Sequence, residues 1–356
     1  MSAEARAGRQ GGERARPAQG PGAEIDARVG PAPQADSGPL FERVALIGLG
    51  LIGSSIAWAA RRDGLAGEIV GTARSPCTRR RAAELGFCDR VVETAADAVR
   101  AADLVVLCVP VGACGRVTAE IAPALAPGAI LSDVGSVKAQ LIADVAAQLP
   151  AHAHFVPAHP LAGTEHSGPD AGFAALFEGR WCILTPLADS APEATARVRA
   201  FWEAMGARTA EMTPEHHDLV LAVTSHVPHA IAYTMVGVAD DLARVSDSEV
   251  IQFSAAGFRD FTRIAASDPV MWRDVFLSNR EATLDILGRF TEELFELRRA
   301  IRMGDADWLE AYFTRTRAIR RGIIEAGQDT DAPDFGRHAR HPARPGRPGG
   351  GSGDGE

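Results

Sequence analysis

Across residues 41–209 the chain alternates short apolar runs with longer alanine-rich stretches. The runs at 43–48, 68–72, 103–109 and 129–132 are β-branched and bounded by Gly, Pro or Asp, as strands are. Between them, 51–63, 76–86, 112–124 and 138–148 read as helices. That alternation predicts a parallel sheet with right-handed crossovers. Further strands are expected at 153–157, 180–185 and 207–211, with a helix near 192–205. From about 212 strand-like runs vanish and helical periodicity dominates to 327. Residues 269–303 read as one long helix, with Leu284, Leu287, Phe290, Leu294 and Leu297 at steps of three and four. Helices this apolar beside a modest first domain are expected to pack against a second subunit as well. The fold class is therefore α/β: a doubly wound domain over 41–209, then an all-helical domain over 210–328 that forms a homodimer.

Outside those bounds the pattern fails. Residues 1–40 are rich in Gly, Ala, Pro and Arg, and 329–356 close on a Gly/Pro/Arg run. Neither tail has enough apolar surface to offset the entropy of ordering, so both are expected to be disordered. A net charge of −9 argues against a nucleic-acid partner and leaves any basic site local. Five cysteines without metal spacing (Cys77, Cys88, Cys108, Cys114 and Cys182) read as buried thiols in a reducing compartment. No apolar run is read as a membrane span, and the N-terminus lacks the apolar core of a signal peptide. A cytoplasmic protein without membrane association is the expectation.

Candidate chemistry begins at Gly48-Leu49-Gly50-Leu51-Ile52-Gly53, which follows the apolar run Val44–Ile47 and opens a helix. In that context Gly48 allows the tight turn and Gly50 lets backbone approach a pyrophosphate. Gly53 lets helix and strand pack closely, and the helix N-terminus at Leu51 and Ile52 faces the phosphates. The implied cofactor is NAD(P). An acid that bonds the ribose hydroxyls of NAD is expected about 20 positions on, but Ala73 stands there. Arg74, Ser75, Thr78 and Arg79 follow and suit a 2′-phosphate, so NADP is favoured over NAD. The alternative is that Arg79, Arg80 and Arg81 form a solvated helix face.

A second block, His159-Pro160-Leu161-Ala162-Gly163-Thr164-Glu165, adds a histidine to take a proton, a glycine and a carboxylate. Lys138, in Ser132-Asp133-Val134-Gly135-Ser136-Val137-Lys138, is the one lysine among 37 Lys and Arg residues. It falls just after a strand, where ligands bind in this topology, and suits a salt bridge with Asp133 or a helix-start contact. The pair His216-His217 has no third ligand at metal spacing and reads as helix surface. No metal site is expected.

These motifs, with Ser225-His226-Val227-Pro228-His229 and Gly257 to Ala265 (Gly-Phe-Arg-Asp-Phe-Thr-Arg-Ile-Ala), together resemble the prephenate/arogenate (cyclohexadienyl) dehydrogenases of tyrosine biosynthesis. The resemblance runs from about 41 to 328. It implies a Rossmann-type domain followed by a helical dimerisation domain, and a substrate that is prephenate or arogenate. It implies His159 as the base and Ser136 as the residue bonding the reacting hydroxyl. Arg263 is implied as the anchor of a substrate carboxylate, with Asp260 as its orienting partner. His229 is expected to line the same pocket, Trp272 to wall it or to be simple core packing, and Glu165 suits the ammonium of arogenate, a protein arginine or a helix N-terminus. His226 lines the pocket too, or is a satisfied core histidine. Ala73 departs from the Asp that many members carry. Neither a regulatory domain after 328 nor a chorismate mutase segment before the glycine turn is expected.

Two other classes compete. A β-hydroxyacid dehydrogenase pairs a similar turn with a helical domain, but uses a lysine there, and the region after 212 has none. A non-catalytic NADP-responsive binding protein has no need of His159, Ser136 and Arg263 together.

Overall fold

The computed structural model describes residues 38–164, 166–245 and 254–325. Nearly all of both tails and Glu165 lie outside the described residues. The chain divides into two compact units, 1–286 and 287–356.

The first unit is built on a six-stranded parallel sheet: β1 (Phe41–Ile47), β2 (Ala66–Thr72), β3 (Arg90–Val91), β4 (Leu104–Leu107), β5 (Ile130–Asp133) and β6 (His154–Val156). Its order, β3-β2-β1-β4-β5-β6, is that of a doubly wound dinucleotide fold. The central strands β4 and β5 are buried along their whole length, which is why they read as continuous apolar runs rather than alternating ones. Helices α1 (Leu51–Arg62) and α6 (Pro192–Ala204) pack on one face, where Phe41, Phe177, Phe201 and Trp202 meet edge to face. Such ring pairs add about 0.5–1.5 kcal/mol each beyond burial. Helices α3 (Ala95–Val99), α4 (Cys114–Ile121) and α5 (Ala139–Ala146) contribute to the core on the opposite face. Helix α2 (Pro76–Leu85) follows β2.

The strands expected after 150 do not all join this sheet. Pro157 follows β6 and brings no N–H to a ladder, and the chain leaves there for a second sheet of β7 (Ala158–Pro160), β8 (Trp181–Leu184) and β9 (Arg208–Glu211). In it β7 runs antiparallel to β8. Strand content ends at Glu211, where the sequence pattern changes.

Beyond it lie α7 (Pro214–Leu221), a wide π-type turn at Ala222–His226, α8 (Val227–Val245), α9 (Ala256–Thr262) and α10 (Pro269–Ser278). Next come α11 (Arg280–Met303), in which the division between units falls, and α12 (Ala306–Glu325) in the second unit. The single helix expected over 269–303 is broken at Asn279, whose side chain donates to the Asp218 carbonyl at 2.7 Å and meets His226 Nδ1 at 3.0 Å. Tertiary hydrogen bonds override the local helical code there. The helical run 214–242 is long and apolar enough to cross a membrane, a property the sequence pattern was not read to have. The thiols are mixed: Cys88, Cys114 and Cys182 are buried and Cys77 is exposed, so the expectation of buried thiols fails at Cys77.

Candidate active site

The glycine turn leaves β1 with Gly48 at φ +108°, where a side chain would be strained. A Cβ there would also stand 2.3 Å from the Cys108 carbonyl oxygen. At Gly53 a Cβ would stand 2.0 Å from the Gly48 carbonyl oxygen, so helix and turn touch only because it is glycine. At Gly50 the same test finds open space. Helix α1 begins after Gly50 without a side-chain cap. The N–H groups of Leu51, Ile52 and Gly53 therefore have no intrahelical acceptor and point out of a positive helix end. The turn fits a dinucleotide pyrophosphate.

At the end of β2, Ala73 is half-buried and Arg74 and Ser75 are exposed. Ser75 caps α2 by accepting from the Thr78 N–H. Arg79 Nη1 donates to the carbonyls of Ala73 (2.8 Å) and Arg74 (3.1 Å), so this guanidinium braces the loop. Arg81 pairs with Asp170 and Glu84 at the surface.

Lys138 forms the expected ion pair with Asp133, Nζ to Oδ2 at 2.5 Å, and both side chains are fully buried. Both partners make further hydrogen bonds. Asp133 also accepts from the N–H groups of Gly135 (2.7 Å) and Ala158 (3.2 Å), and Lys138 Nζ donates to the Ala158 carbonyl at 2.7 Å. Removing one partner of such a pair costs about 3–5 kcal/mol. Its geometric effect is to lock the loop that carries Ser136 against the strand that carries His159. Gly135 belongs to the lock, because a Cβ there would stand 2.5 Å from Leu141. Ser136 is half-buried and does not cap α5; that helix start is closed by Asp218, which accepts from the N–H groups of Lys138 (2.8 Å) and Ala139 (2.9 Å).

His159 sits in β7, opposite Ile183 of β8, and is buried. Its Nδ1 is 2.8 Å from His217 Nε2, and His217 Nδ1 is 2.8 Å from Asp218 Oδ1. His217 is thus not helix surface, as the sequence was read, but a fully buried site residue on α7. The signal was present. Thr213 caps a helix at Pro214, and His217 and Leu221, four apart, share its buried face. Asp218 was missed as well. Burial first, then the charges of His217, Lys138 and His226, hold His159 well below the usual imidazole range. Burial also lowers His217, opposed by its bond to Asp218.

His229 stacks on Trp272 at 3.7 Å, and its Nδ1 donates to the Ser225 carbonyl at 2.8 Å. Trp272 is buried and walls the ring. His226 is pushed down to about 4, chiefly by burial. Arg263 is exposed on the turn Arg263–Ala266, and its charge, after burial, lowers His229. Asp260 and Arg263 are both engaged with neighbours. His226 acts electrostatically on His159, His229 on His226, and Arg263 on His229, so one cluster links the proposed base to the proposed anchor. Glu165 lies outside the described residues.

The family model described as "Prephenate dehydrogenase, nucleotide-binding domain" matches residues 56–211, and "Prephenate dehydrogenase, dimerization domain" matches 213–315. The chain is 45% identical to a cyclohexadienyl dehydrogenase of Zymomonas mobilis over 80% of its own length and 97% of the relative's. It is 34% identical to a prephenate dehydrogenase of Bacillus subtilis, covering 79% of this chain and 76% of that one. Among solved structures, prephenate dehydrogenase from Aquifex aeolicus in complex with hydroxyphenyl propionate and NAD+ superposes with a TM-score of 0.75 at 33% identity, covering 82% of this chain and all of that one. Synechocystis arogenate dehydrogenase gives 0.66 at 28%, over 79% of this chain and 99% of that one.

Proposed function

The chain belongs to the prephenate dehydrogenase family, and from that premise we propose how its own residues carry the family's reaction. It is an oxidoreductase, a prephenate/arogenate dehydrogenase of tyrosine biosynthesis. Its substrate is a cyclohexadiene with a ring hydroxyl, a ring carboxylate and a side chain bearing a second carboxylate. The carbinol carbon loses a hydride, the hydroxyl loses a proton, and the ring carboxylate leaves as carbon dioxide. Aromatisation makes the step irreversible.

The observation that carries the assignment is His159. It is a buried ring held below its usual protonation range, with one nitrogen bonded to His217 and no protein hydrogen bond to Nε2 among the described residues. A neutral imidazole so placed takes the hydroxyl proton. Ser136, on the loop locked by Lys138, hydrogen-bonds the same hydroxyl. Arg263 holds a substrate carboxylate, with His229 and Trp272 lining the pocket. Glu165, on the segment after His159, is assigned to the substrate side chain on the family motif alone. When bound at the glycine turn, a nicotinamide coenzyme supplies the hydride acceptor. NADP serves at least as well as NAD, because no carboxylate stands at position 73 and Arg74 is exposed beside it. Two copies associate through the helical region, which carries the dimerisation-domain match.

Reduced-nicotinamide absorbance on adding prephenate or arogenate tests the activity, with both coenzymes compared. His159→Asn is expected to keep coenzyme binding and lower turnover by roughly 10²–10⁴, the usual worth of general acid–base catalysis. Near-normal turnover removes His159 from the role.

A further inference from the structure

Asp218 holds α5 with both its oxygens. Oδ1 accepts from the Lys138 N–H and Oδ2 from the Ala139 N–H. Toward His217 this group is therefore an acceptor, and the 2.8 Å contact from His217 Nδ1 to Oδ1 fixes the proton on His217 Nδ1. In the neutral ring, which burial favours, His217 Nε2 then carries a lone pair. It faces His159 Nδ1 at 2.8 Å, so His159 must carry its proton on Nδ1 and present a bare Nε2.

We infer that Asp218 and His217 are positioning residues that set the tautomer of His159 and share the charge it gains when it acts as base. The inference rests on the reading of His159 as base. When His159 Nε2 takes the hydroxyl proton, its Nδ1 proton moves to His217 Nε2. His159 returns to neutral, and the positive charge settles on His217, one hydrogen bond from the Asp218 carboxylate. One proton enters the chain of rings and one shifts along it; both shifts reverse when the ring oxygen, left as phenolate by the loss of carbon dioxide, takes its proton back, and no bond to carbon changes at these residues. The arrangement puts a buried cation next to its counter-ion instead of leaving it unpaired, where its cost is severalfold greater. Asn279 closes the chain from behind by donating to the Asp218 carbonyl.

The tautomer can be read without turnover. In the full-length protein with 15N-histidine, two-bond nitrogen–proton correlation is expected to show His159 and His217 both protonated on Nδ1, assigned by their loss in His159→Asn and His217→Gln. The Nε2-protonated form at His159 in the wild type overturns the inference. In Asp218→Asn the single amide oxygen serves either the Oδ1 partners, the Lys138 N–H and His217 Nδ1, or the Ala139 N–H, and in both placements the negative charge beside His217 is gone. The charge on His217 then has no counter-ion, and turnover is expected to fall at least 100-fold with KM for substrate and coenzyme within about threefold; loss of the carboxylate behind a catalytic histidine costs about 10⁴. Should loss of the α5 cap unfold that variant, His217→Gln leaves the cap intact. Its amide oxygen still accepts from His159 Nδ1 but cannot take the charge, so a loss of about tenfold is expected with the His159 tautomer kept. Wild-type turnover in His217→Gln, or in a folded Asp218→Asn, alongside an inactive His159→Asn, refutes the relay and leaves the base. An active His159→Asn refutes the base itself.

Discussion

Four histidines of the site, His159, His217, His226 and His229, are each held below the ordinary imidazole range, with burial the largest cause in every case. A base must be neutral to act, so the acidic limb of the turnover–pH profile is expected below pH 6.5; a limb at or above that value contradicts the assignment of His159. The same shifts make folding sensitive to acid. Below about pH 6.5 the unfolded chain binds protons that the folded histidines refuse, so their contribution to stability is constant above that pH and is lost as pH drops toward the folded values, which for His226 is about 4. Each histidine contributes a slope of up to about 1.4 kcal/mol per pH unit within its window. Urea midpoints at pH 7.5 and 5 check this, and a protein more stable at pH 5 refutes it. Arg263 differs in being exposed, and its proposed role is binding. Arg263→Ala is expected to raise the substrate KM strongly with a smaller change in turnover, since it removes attraction common to ground and transition states. An unchanged KM in initial-rate assays moves the carboxylate site elsewhere.

At the scale of elements, what could be read from sequence follows from how local each cause is. The glycine turn was legible because Gly48 and Gly53 answer to contacts within the turn, the helix start and the adjoining β4 end. Lys138 was legible as the partner of Asp133 because five residues and a strand end separate them. The short pair Arg90–Val91 and the five-residue α3 were not, since neither carries a periodic pattern. Nor was the break at Asn279, which answers to Asp218 and His226, more than fifty residues away. His217 was read as surface because it was taken with His216 as a pair lacking a third metal ligand; the helix separates them onto different faces, His216 exposed and His217 buried. The β2–α2 loop shows the opposite case, a local sequence with a local consequence. Arg79 braces the carbonyls of Ala73 and Arg74, leaving Arg74 at the exposed side where a 2′-phosphate would sit. An aspartate at 73 would repel that phosphate and bond the free ribose hydroxyls of NAD. Ala73→Asp with Arg74→Ala is therefore expected to shift preference toward NAD by about 1–3 kcal/mol, the scale of a charge-assisted hydrogen bond. Ratios of kcat/KM for the two coenzymes measure it, and a wild type that uses NAD and ignores NADP overturns the reading.

At the scale of the whole molecule, the helical region carries apolar surface that one copy leaves bare. In the first unit Met235, Val236, Val238, Leu242, Leu277 and Leu284 are exposed, and in the second Phe290, Leu294, Phe295, Ile301, Phe313 and Ile319. Leu284, Phe290 and Leu294 belong to the apolar periodicity read from sequence, and they are exposed in the single chain. Exposed apolar surface on this scale marks an interface with protein or lipid. A bilayer suits the helical run 214–242 by length and composition. Yet that run also carries His217 and Asp218, fully or nearly buried and hydrogen-bonded to the strand and helix around His159. A segment bonded into the catalytic core cannot leave it for lipid without dismantling the site. A second copy would meet no such cost, and a closed two-fold pairing buries identical patches on each other. The full chain is therefore expected to sediment as a dimer of its 37.5 kDa protomer. Leu294→Glu with Phe295→Glu, which adds two charges to an exposed face outside the site, is expected to shift it to monomer. Monomeric wild type at micromolar concentration, or a double variant that stays dimeric, shows that this face is covered in some other way.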